Sequence, residues 1–276
     1  MRTLDGKVVV ITGAGSGIGR ELAEHAAAQG AVLALSDWDE NGLVETARLA
    51  AERTHHEVRT EKIDVRDREA VRAWATSLRE ELGRVNVVVN NAGVALHGDF
   101  EEVGYDDFHW VMDIDFWGVV QGTKEFLPHL IESGDGHVVN ISSLFGLMAV
   151  PGQSAYNSAK FAVRGFTEAL RQEMLVEKAP VKVTCVHPGG IKTAIARNAR
   201  AAGVDQAGNA ELFDRYLART SAESAARDIL KAMEAGKPRL LVGLDAKALD
   251  LQVRVLGSGY QRVVAAVTGA TTRRFH

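Results

Sequence analysis

Residues 7–19 of the chain read KVVVITGAGSGIG. The first part of this stretch is apolar and rich in β-branched residues, which is typical of a buried strand. A glycine-rich run follows at once, and a helical pattern begins inside it and continues to residue 29. A tight turn from strand to helix lets a phosphate group approach the backbone and meet the free N–H groups of the helix. The stretch therefore predicts a strand, a phosphate-binding turn and a helix in succession.

The glycines of this turn follow the spacing Gly-x-x-x-Gly-x-Gly at Gly13, Gly17 and Gly19. Glycine has no Cβ, so the turn can be tight and a ligand can come close to its backbone. Glycines also form plain turns, but a strand before the run and a helix after it are the setting that a dinucleotide site requires. We therefore expect a dinucleotide cofactor to be held by Gly13, Ser16, Gly17, Ile18 and Gly19.

The same alternation of strand and helix continues along the chain. Strands are predicted at residues 7–12, 31–36, 58–63, 85–89, 137–141, 181–186 and 239–242, and helices at 17–29, 41–53, 68–82, 105–130, 155–176 and 222–235. Nearly all of these strands are apolar throughout, which favours a parallel sheet covered by helices on both faces. The predicted fold is a three-layer α/β Rossmann fold with a seven-stranded parallel sheet. Residues 1–243 form its domain, and residues 244–276 are expected to pack on that domain as a helical extension.

Composition excludes several other classes of protein. The chain has 276 residues, a net charge of -4 and a pI of about 6.2, so it lacks the basic character of a nucleic-acid-binding protein. Cys185 is the single cysteine, which excludes a disulfide within the chain and a cysteine-based metal site, and fits a reducing compartment. The N-terminal residues lack the pattern of a signal peptide, and no apolar run reaches 18 residues. A cytoplasmic location is therefore expected.

Asp37 closes the second predicted strand, 18 residues after Gly19. A carboxylate at that point can accept hydrogen bonds from adenosine ribose hydroxyls, and it would repel a 2′-phosphate. Asp39 and Glu40 are nearby acidic alternatives, and no Arg or Lys occurs in residues 38–42 that could hold such a phosphate. The sequence therefore predicts NAD rather than NADP.

Small or polar residues also follow the next two predicted strands. Asp64 and Val65 follow the third strand, where they could cover the adenine ring. Asn91, Ala92 and Gly93 follow the fourth strand and would let the backbone lie close to the cofactor. In open α/β sheets, ligands bind beyond the carboxyl ends of the strands.

Tyr156 and Lys160 lie four residues apart on a predicted helix and therefore share one face. A phenol has a pKa near 10, so a tyrosine acting as a base near neutrality needs its pKa lowered by about 2–3 units. A neighbouring ammonium and a positive nicotinamide ring both favour the phenolate. Ser143 follows the fifth predicted strand, and its hydroxyl could hold a substrate oxygen beside the phenol.

From Gly6 to Gly243 the chain resembles the short-chain dehydrogenase/reductase family. The resemblance rests on an ordered set of motifs: residues 12–19, Asp64, Asn90-Asn91-Ala92-Gly93, Ser143, Tyr156-x-x-x-Lys160 and Pro188-Gly189-x-x-x-Thr193. It implies an NAD(H)-dependent oxidoreductase that interconverts a secondary alcohol and a ketone. Such a protein would most often be a homodimer or homotetramer.

The resemblance also implies a role for each motif residue. Tyr156 would be the general acid/base, and Ser143 would orient the reacting carbonyl or alcohol. Lys160 would bind the nicotinamide ribose and lower the pKa of Tyr156. The segment after the sixth strand would contact the nicotinamide end of the cofactor through Pro188, Gly189, Ile191 and Thr193.

Asp115 departs from the family pattern, which usually places an Asn three residues before this glycine, Gly118. That Asn helps to hold a water that passes protons to the lysine. We expect Asp115 to face the active site, where its charge would stabilise the Lys160 ammonium and raise the pKa of Tyr156. At an assumed separation of about 6 Å and an effective dielectric of about 20, this effect is at most roughly 3 kcal/mol, or about two pKa units.

Three other functions remain as alternatives. A nucleotide-sensing binding protein would keep the fold without turnover. A serine hydrolase would need Gly-x-Ser-x-Gly at a strand-to-helix turn, and that pentapeptide does not occur. An epimerase or dehydratase relative would usually be longer and carry a separate substrate domain.

The substrate is expected to be a small molecule, a hydrophobic or medium-to-large secondary alcohol or ketone. Its walls are predicted in residues 95–99, 144–153 and 193–220, with an apolar set made of Leu144, Phe145, Leu147, Met148, Val150, Ile195, Leu212, Phe213 and Tyr216. Trp110 and Trp117 are candidates for a subunit interface or for the core. The extension could pack on the domain, act as a lid or contact a membrane. The acidic residues Asp245 and Asp250 speak against membrane contact.

Overall fold

The computed structural model describes residues 3–204 and 219–272. Its strands are β1 (Val8–Thr12), β2 (Val32–Asp37), β3 (Arg59–Lys62), β4 (Val87–Asn90), β5 (Leu96–Gly98), β6 (Gly136–Ile141), β7 (Val181–Pro188), β8 (Ile191–Lys192), β9 (Arg200–Ala202), β10 (Thr220–Ser221) and β11 (Arg239–Val242). Its helices are α1 (Gly17–Ala28), α2 (Glu40–Ala51), α3 (Arg68–Leu82), α4 (Tyr105–Met112), α5 (Gly118–Glu132), α6 (Ser154–Val176), α7 (Ala222–Glu234), α8 (Leu244–Leu256) and α9 (Tyr260–Thr272).

Seven of these strands form one sheet in the order β11-β7-β6-β4-β1-β2-β3, and every neighbouring pair is parallel. Successive side chains of β1 point to opposite faces, so Val9 and Ile11 join one core cluster while Val8 and Val10 join the other. Residues of α1, α2 and α7 complete the first cluster, and residues of α3, α5 and α6 complete the second. The predicted three-layer fold with a seven-stranded parallel sheet is thereby confirmed.

The order of the strands positions the site. The chain moves outward from β1 through β2 to β3, then returns to place β4 on the other side of β1. The connections therefore diverge between the carboxyl ends of β1 and β4, and a crevice opens there. The residues that follow these two strands are the glycine turn and the segment Asn91-Ala92-Gly93.

The helix predicted over residues 105–130 is interrupted. Between α4 and α5 the segment Asp113–Trp117 forms a π-helical turn, and α5 continues through Pro128 to Glu132. A π turn inserts an extra residue into a helix and redirects side chains, often at functional sites. Here it carries Asp115, which is fully buried.

Four short strands were not predicted from the sequence. Strand β5 pairs with β9, and β8 pairs with β10, each over two or three residues. Segments of that length are too short to show a periodic pattern, and their partners lie far away in the chain. These pairs connect the loops above the sheet.

The first part of the extension contacts the loops above the sheet. Ala246 and Tyr260 are buried in a small cluster with Leu144 and Met148. The Tyr260 hydroxyl accepts a hydrogen bond of 3.0 Å from the backbone N–H of Ala149. Among the described helices, none is long and apolar enough to cross a membrane.

Candidate active site

A cavity of about 1360 Å³ lies above the carboxyl ends of the central strands. It brings together most of the residues that the sequence singles out: Gly13, Ser16, Gly17, Ile18, Asp37, Asp64, Val65, Asn91, Ala92, Gly93, Ser143, Tyr156, Lys160, Pro188, Gly189, Ile191 and Thr193. Two predicted site residues, Gly19 and Asp115, lie behind the wall of the cavity rather than in it.

The glycine turn is shaped by close backbone contacts. Gly13 and Gly17 have φ angles of 65° and 54°, which L residues with a side chain rarely adopt. A Cβ on Gly13 would lie 2.6 Å from the Cα of Ala92. A Cβ on Gly19 would overlap the carbonyl oxygen of Gly13, so Gly19 allows the helix to pack closely against the turn.

Asn91 ties the ends of β1 and β4 together. Its side-chain amide donates to the carbonyl oxygens of Thr12 at 3.0 Å and Gly13 at 2.9 Å. The backbone N–H groups of Asn91 and Ala92 donate to the Thr12 hydroxyl at 3.1 and 3.2 Å. Asn91 therefore fixes the shape of the glycine turn in addition to lining the cavity.

Asp37 lies where β2 ends, beside the glycine turn. The Oδ2 of Asp37 accepts a 2.7 Å hydrogen bond from the backbone N–H of Gly15. Its Oδ1 accepts a 2.9 Å hydrogen bond from the backbone N–H of Asp39. Asp64 is occupied differently, because the Arg66 guanidinium forms an ion pair with it at 2.6 Å and lowers the pKa of the Asp64 carboxyl. Asp37 therefore presents a carboxylate to this end of the cavity, whereas the charge of Asp64 is paired with that of Arg66.

The opposite end of the cavity contains the predicted catalytic residues. Tyr156 and Lys160 project from α6, and the Lys160 Nζ lies 5.6 Å from the centre of the Tyr156 ring. Ser143 follows β6 and is nearly buried, with its hydroxyl accepting a 3.1 Å hydrogen bond from the backbone N–H of Phe145. The Ser143 hydroxyl also acts on the Tyr156 phenol, whose pKa it lowers.

Asp115 contacts the catalytic residues through Lys160. Its Oδ2 forms an ion pair of 3.0 Å with the Lys160 Nζ, and its Oδ1 accepts a 2.7 Å hydrogen bond from the backbone N–H of Val94. Asp115 and Lys160 are both buried. Gly93 covers the pair, since a Cβ at that position would lie 3.3 Å from the Lys160 Nζ. The π turn therefore directs Asp115 toward the lysine.

The charges of these three groups are coupled. Burial raises the pKa of Asp115, although Lys160 and the Val94 N–H oppose it. Burial lowers the pKa of Lys160, but the adjacent Asp115 and Tyr156 outweigh it and the net shift is upward. Lys160 therefore stays an ammonium at neutral pH.

The pKa of Tyr156 is not lowered, contrary to what the sequence predicts for a tyrosine that acts as a base. Tyr156 as a whole is only half-buried, but desolvation of its phenol raises the pKa. The negative charge of Asp115 raises this pKa further. Lys160 and the Ser143 hydroxyl lower the pKa of Tyr156, as expected, but by less than burial and Asp115 raise it. The protein groups alone therefore favour the neutral phenol.

Two further residues position the site and were not predicted from the sequence. His187 Nδ1 donates a 3.0 Å hydrogen bond to the carbonyl oxygen of Ser143, and burial lowers the pKa of His187 to about 4, so the ring is neutral. Asn157 donates to the carbonyls of Phe145 and Met148 and accepts from the N–H of Val150. The available signals were the position of His187 directly before Pro188 and of Asn157 directly after Tyr156.

The substrate end is bounded by apolar residues with one polar pair. Of the predicted set, Leu144, Phe145, Met148, Val150 and Ile195 line the cavity, while Leu147 is buried outside its lining. Leu212, Phe213 and Tyr216 lie outside the described residues. His97 and Gln153 contribute a side-chain hydrogen bond of 2.8 Å at the wall.

Other parts of the chain contribute to this wall. Trp110 lines the cavity, and the Arg200 Cζ lies 3.8 Å from the centre of its ring. Trp117, in contrast, is half exposed. The extension supplies Leu244, Asp245, Ala248 and Leu249.

The family model for short chain dehydrogenase matches residues 7–203, and the chain therefore belongs to the short-chain dehydrogenase/reductase family. It is an oxidoreductase of that family. It is 59% identical over 267 residues to SadH of Mycobacterium tuberculosis, which is named as an oxidoreductase, and the match covers 96% of both chains. It is 34% identical to dehydrogenase/reductase SDR family member 7B of Mus musculus, over 94% of this chain and 80% of the mouse protein.

Solved structures show the same fold. A short-chain dehydrogenase/reductase from Burkholderia phymatum in complex with NAD superposes with a TM-score of 0.87 and 29% identity, covering 95% of this chain and 97% of that one. A short-chain dehydrogenase from Mycobacterium paratuberculosis bound to NAD gives a TM-score of 0.76 and 27% identity, covering 88% and 98%.

Proposed function

We propose that the chain is an NAD(H)-dependent oxidoreductase that interconverts a secondary alcohol and a ketone, with Tyr156 as the general acid/base. The observation that carries this proposal is the convergence of Ser143, Tyr156 and Lys160 on one cavity with the glycine turn. A phenol, a hydroxyl and an ammonium so arranged suit proton transfer to and from a substrate oxygen.

The residues at the other end of the cavity fit a dinucleotide. The close backbone contacts of Gly13 leave a cradle without side chains, and the N-terminus of α1 provides N–H groups for a pyrophosphate. The Asp37 carboxylate suits ribose hydroxyls and disfavours a 2′-phosphate, which supports NAD over NADP. NAD in the two solved relatives supports the same choice. When bound, the nicotinamide supplies the hydride acceptor or donor.

The side chains at the reacting end have separate roles in this proposal. Tyr156 removes the hydroxyl proton during oxidation and returns it during reduction, while the Ser143 hydroxyl hydrogen-bonds to the same substrate oxygen. Lys160 favours the phenolate through its positive charge. Asp115 holds Lys160 in place and keeps it charged. Since burial keeps the phenol neutral in the protein alone, a cationic nicotinamide ring would assist its deprotonation.

The test is a panel of secondary alcohols and ketones, with NAD and NADP compared in each assay by the absorbance of the reduced nicotinamide. We expect turnover with NAD and with apolar members of the panel, because the substrate wall is largely apolar. The nucleotide-sensing alternative predicts NAD binding by calorimetry without turnover on any member, and that result would remove the enzymatic proposal.

The assembly and location in this proposal come from the sequence analysis. We propose a homodimer or homotetramer formed through the α4–α5 and α6 helices, with the half-exposed Trp117 at the contact. The proposed location is the cytoplasm. Light scattering of the purified protein measures the number of subunits, and a strictly monomeric protein would contradict the assembly.

A further inference from the structure

The C-terminal extension has a charge opposite to that of the rest of the chain. Residues 244–276 contain five basic and two acidic residues, a formal charge of +3, whereas the whole chain carries -4 and residues 1–243 therefore carry -7. Such an asymmetry indicates a surface that meets an anionic partner.

The structure separates the charges of this extension by face. Asp245 is turned inward, where it accepts a 2.7 Å hydrogen bond from the backbone N–H of Gly190. Asp250 is mostly buried and pairs with Arg239 at 3.2 Å and Arg254 at 2.8 Å. The two acids are thus occupied within the fold. The exposed charged residues of α8 and α9 are all basic, and since Arg254 is already paired with Asp250, Lys247 and Arg262 supply the positive charge of this face.

Helix α8 has two apolar faces, and the described part of the chain covers one of them. Ala246, Leu249 and Val253 pack toward the loop that contains Leu144 and Met148. The other face carries Leu244, Ala248, Leu251 and Val255, at the spacing of a single helical stripe. These side chains are exposed, with 83% for Leu244, 62% for Leu251 and 74% for Val255.

The exposed stripe begins at the cavity. Leu244 and Ala248 line the cavity wall and also start the stripe, so the apolar surface continues from the cavity mouth along the outside of α8. Val263, early in α9, is exposed as well.

We propose that α8 and the start of α9 dock on the surface of a membrane that contains anionic lipids. The stripe would enter the boundary between headgroups and acyl chains, and the basic side chains would contact lipid phosphates. In the sequence alone, Asp245 and Asp250 speak against membrane contact, but in the structure both acids are directed away from this face. The cavity mouth would then adjoin the lipid phase.

A second copy of the chain fits this face less well. A twofold contact places the same patch on both partners, so the exposed basic residues would oppose one another across it. A dimer seated on the stripe would also lie against the cavity mouth, where Leu244 and Ala248 contribute to both surfaces. An anionic lipid surface satisfies the charge and leaves the apolar stripe buried.

The test uses co-sedimentation of the full-length protein with vesicles of phosphatidylcholine alone or mixed with phosphatidylglycerol. We expect binding to the mixed vesicles, weaker binding to the neutral ones, and a decrease as salt is raised. The double variant Leu251→Glu, Val255→Glu should lower partitioning at least about tenfold. Val44→Glu is the matched control, because Val44 is equally exposed on α2, and it should bind like the parent protein.

A second variant tests the charge. Arg262→Gln should weaken binding to the mixed vesicles about fivefold and leave binding to neutral vesicles unchanged, because each basic residue near an anionic surface contributes about 1 kcal/mol. None of these variants alters a residue that lines the cavity, so turnover on a water-soluble substrate should be unchanged. The vesicle result is thereby independent of the proposed enzyme activity.

Three outcomes would overturn the proposal. Equal sedimentation of the parent and the double variant would show that the stripe does not bind lipid. A change in subunit number in the double variant, measured by light scattering without vesicles, would show that another copy covers the stripe. A melting temperature several degrees lower than that of the Val44→Glu control would show that the chain itself covers it.

Discussion

The two ends of the cavity are built in different ways. The cofactor end is formed mainly by backbone, and its turn lies in one continuous stretch, residues 12–19, braced by Asn91. The catalytic end is formed by side chains from separate elements: Ser143 after β6, Tyr156 and Lys160 on α6, and Asp115 on the π turn. The first end depends on local geometry, whereas the second depends on the mutual influence of buried charges.

This difference predicts that mutations at the two ends will have separable effects. A change at the cofactor end should alter cofactor affinity and leave the pH dependence of the reaction unchanged. A change at Ser143, Tyr156 or Asp115 should alter turnover or its pH profile and leave cofactor affinity largely unchanged.

The largest effect is expected at the catalytic end. Tyr156→Phe should lower turnover at least about 100-fold, because general acid–base catalysis contributes on that scale, while NAD affinity measured by calorimetry stays close to that of the parent. Tyr105→Phe is the matched control, since Tyr105 is 88% exposed, and it should be fully active. Retention of parental turnover by Tyr156→Phe would remove the proposed mechanism.

The cofactor end should respond most to Gly13→Ala. The φ angle of 65° costs a residue with a side chain about 1–2 kcal/mol, and the added Cβ would also meet Ala92 at 2.6 Å. We expect the dissociation constant for NAD to rise about tenfold or more, without a shift in the pH profile. Gly83→Ala is the control, because Gly83 also has a positive φ but has open space around its Cβ position. Equal NAD affinity in the two variants would show that the turn tolerates a side chain.

Asp115→Asn tests the coupling of buried charges. The Asp115 anion raises the pKa of Tyr156, so its removal should lower the pH at which the oxidation rate rises. The shift should be smaller than about two pKa units, since Lys160 also loses its ion-pair partner and burial then lowers the pKa of Lys160. The measurement is the pH dependence of kcat for oxidation.

Asp113→Asn is the control for that experiment, because Asp113 lies in the same π turn without contact to Lys160 among the ion pairs of the described residues. Its profile should match that of the parent. If Asp115→Asn also left the profile unchanged, Asp115 would have to be protonated in the active enzyme.

The smallest effect is expected for cofactor choice. The parent should have a higher kcat/KM with NAD than with NADP, and Asp37→Ala should narrow that ratio about fivefold, the scale of one net hydrogen bond. Asp39→Ala is the control, since Asp39 also lines the cavity, and it should change the ratio less. A parent enzyme that prefers NADP would contradict the assignment of Asp37.

The cofactor end of the cavity could be predicted from the sequence more completely than the catalytic end. Gly13 and Gly17 are recognisable because the chain must turn tightly within a few residues, and that constraint leaves a local mark in the sequence. The pKa of Tyr156 could not be predicted, because it depends on how deeply the phenol is desolvated and on the distance to Asp115. His187 was missed for a similar reason, since its partner Ser143 lies 44 residues earlier in the chain.

The sequence by itself determined the order of strands and helices, the parallel sheet and the glycine turn, because periodicity and glycine spacing are local properties. The tertiary structure decided which groups the charged side chains contact. It turned Asp115 toward Lys160 through a π turn, and it directed Asp245 and Asp250 inward while leaving an apolar stripe on α8 exposed. Which face a charged side chain takes depends on packing between distant segments, and a sequence pattern does not contain that information.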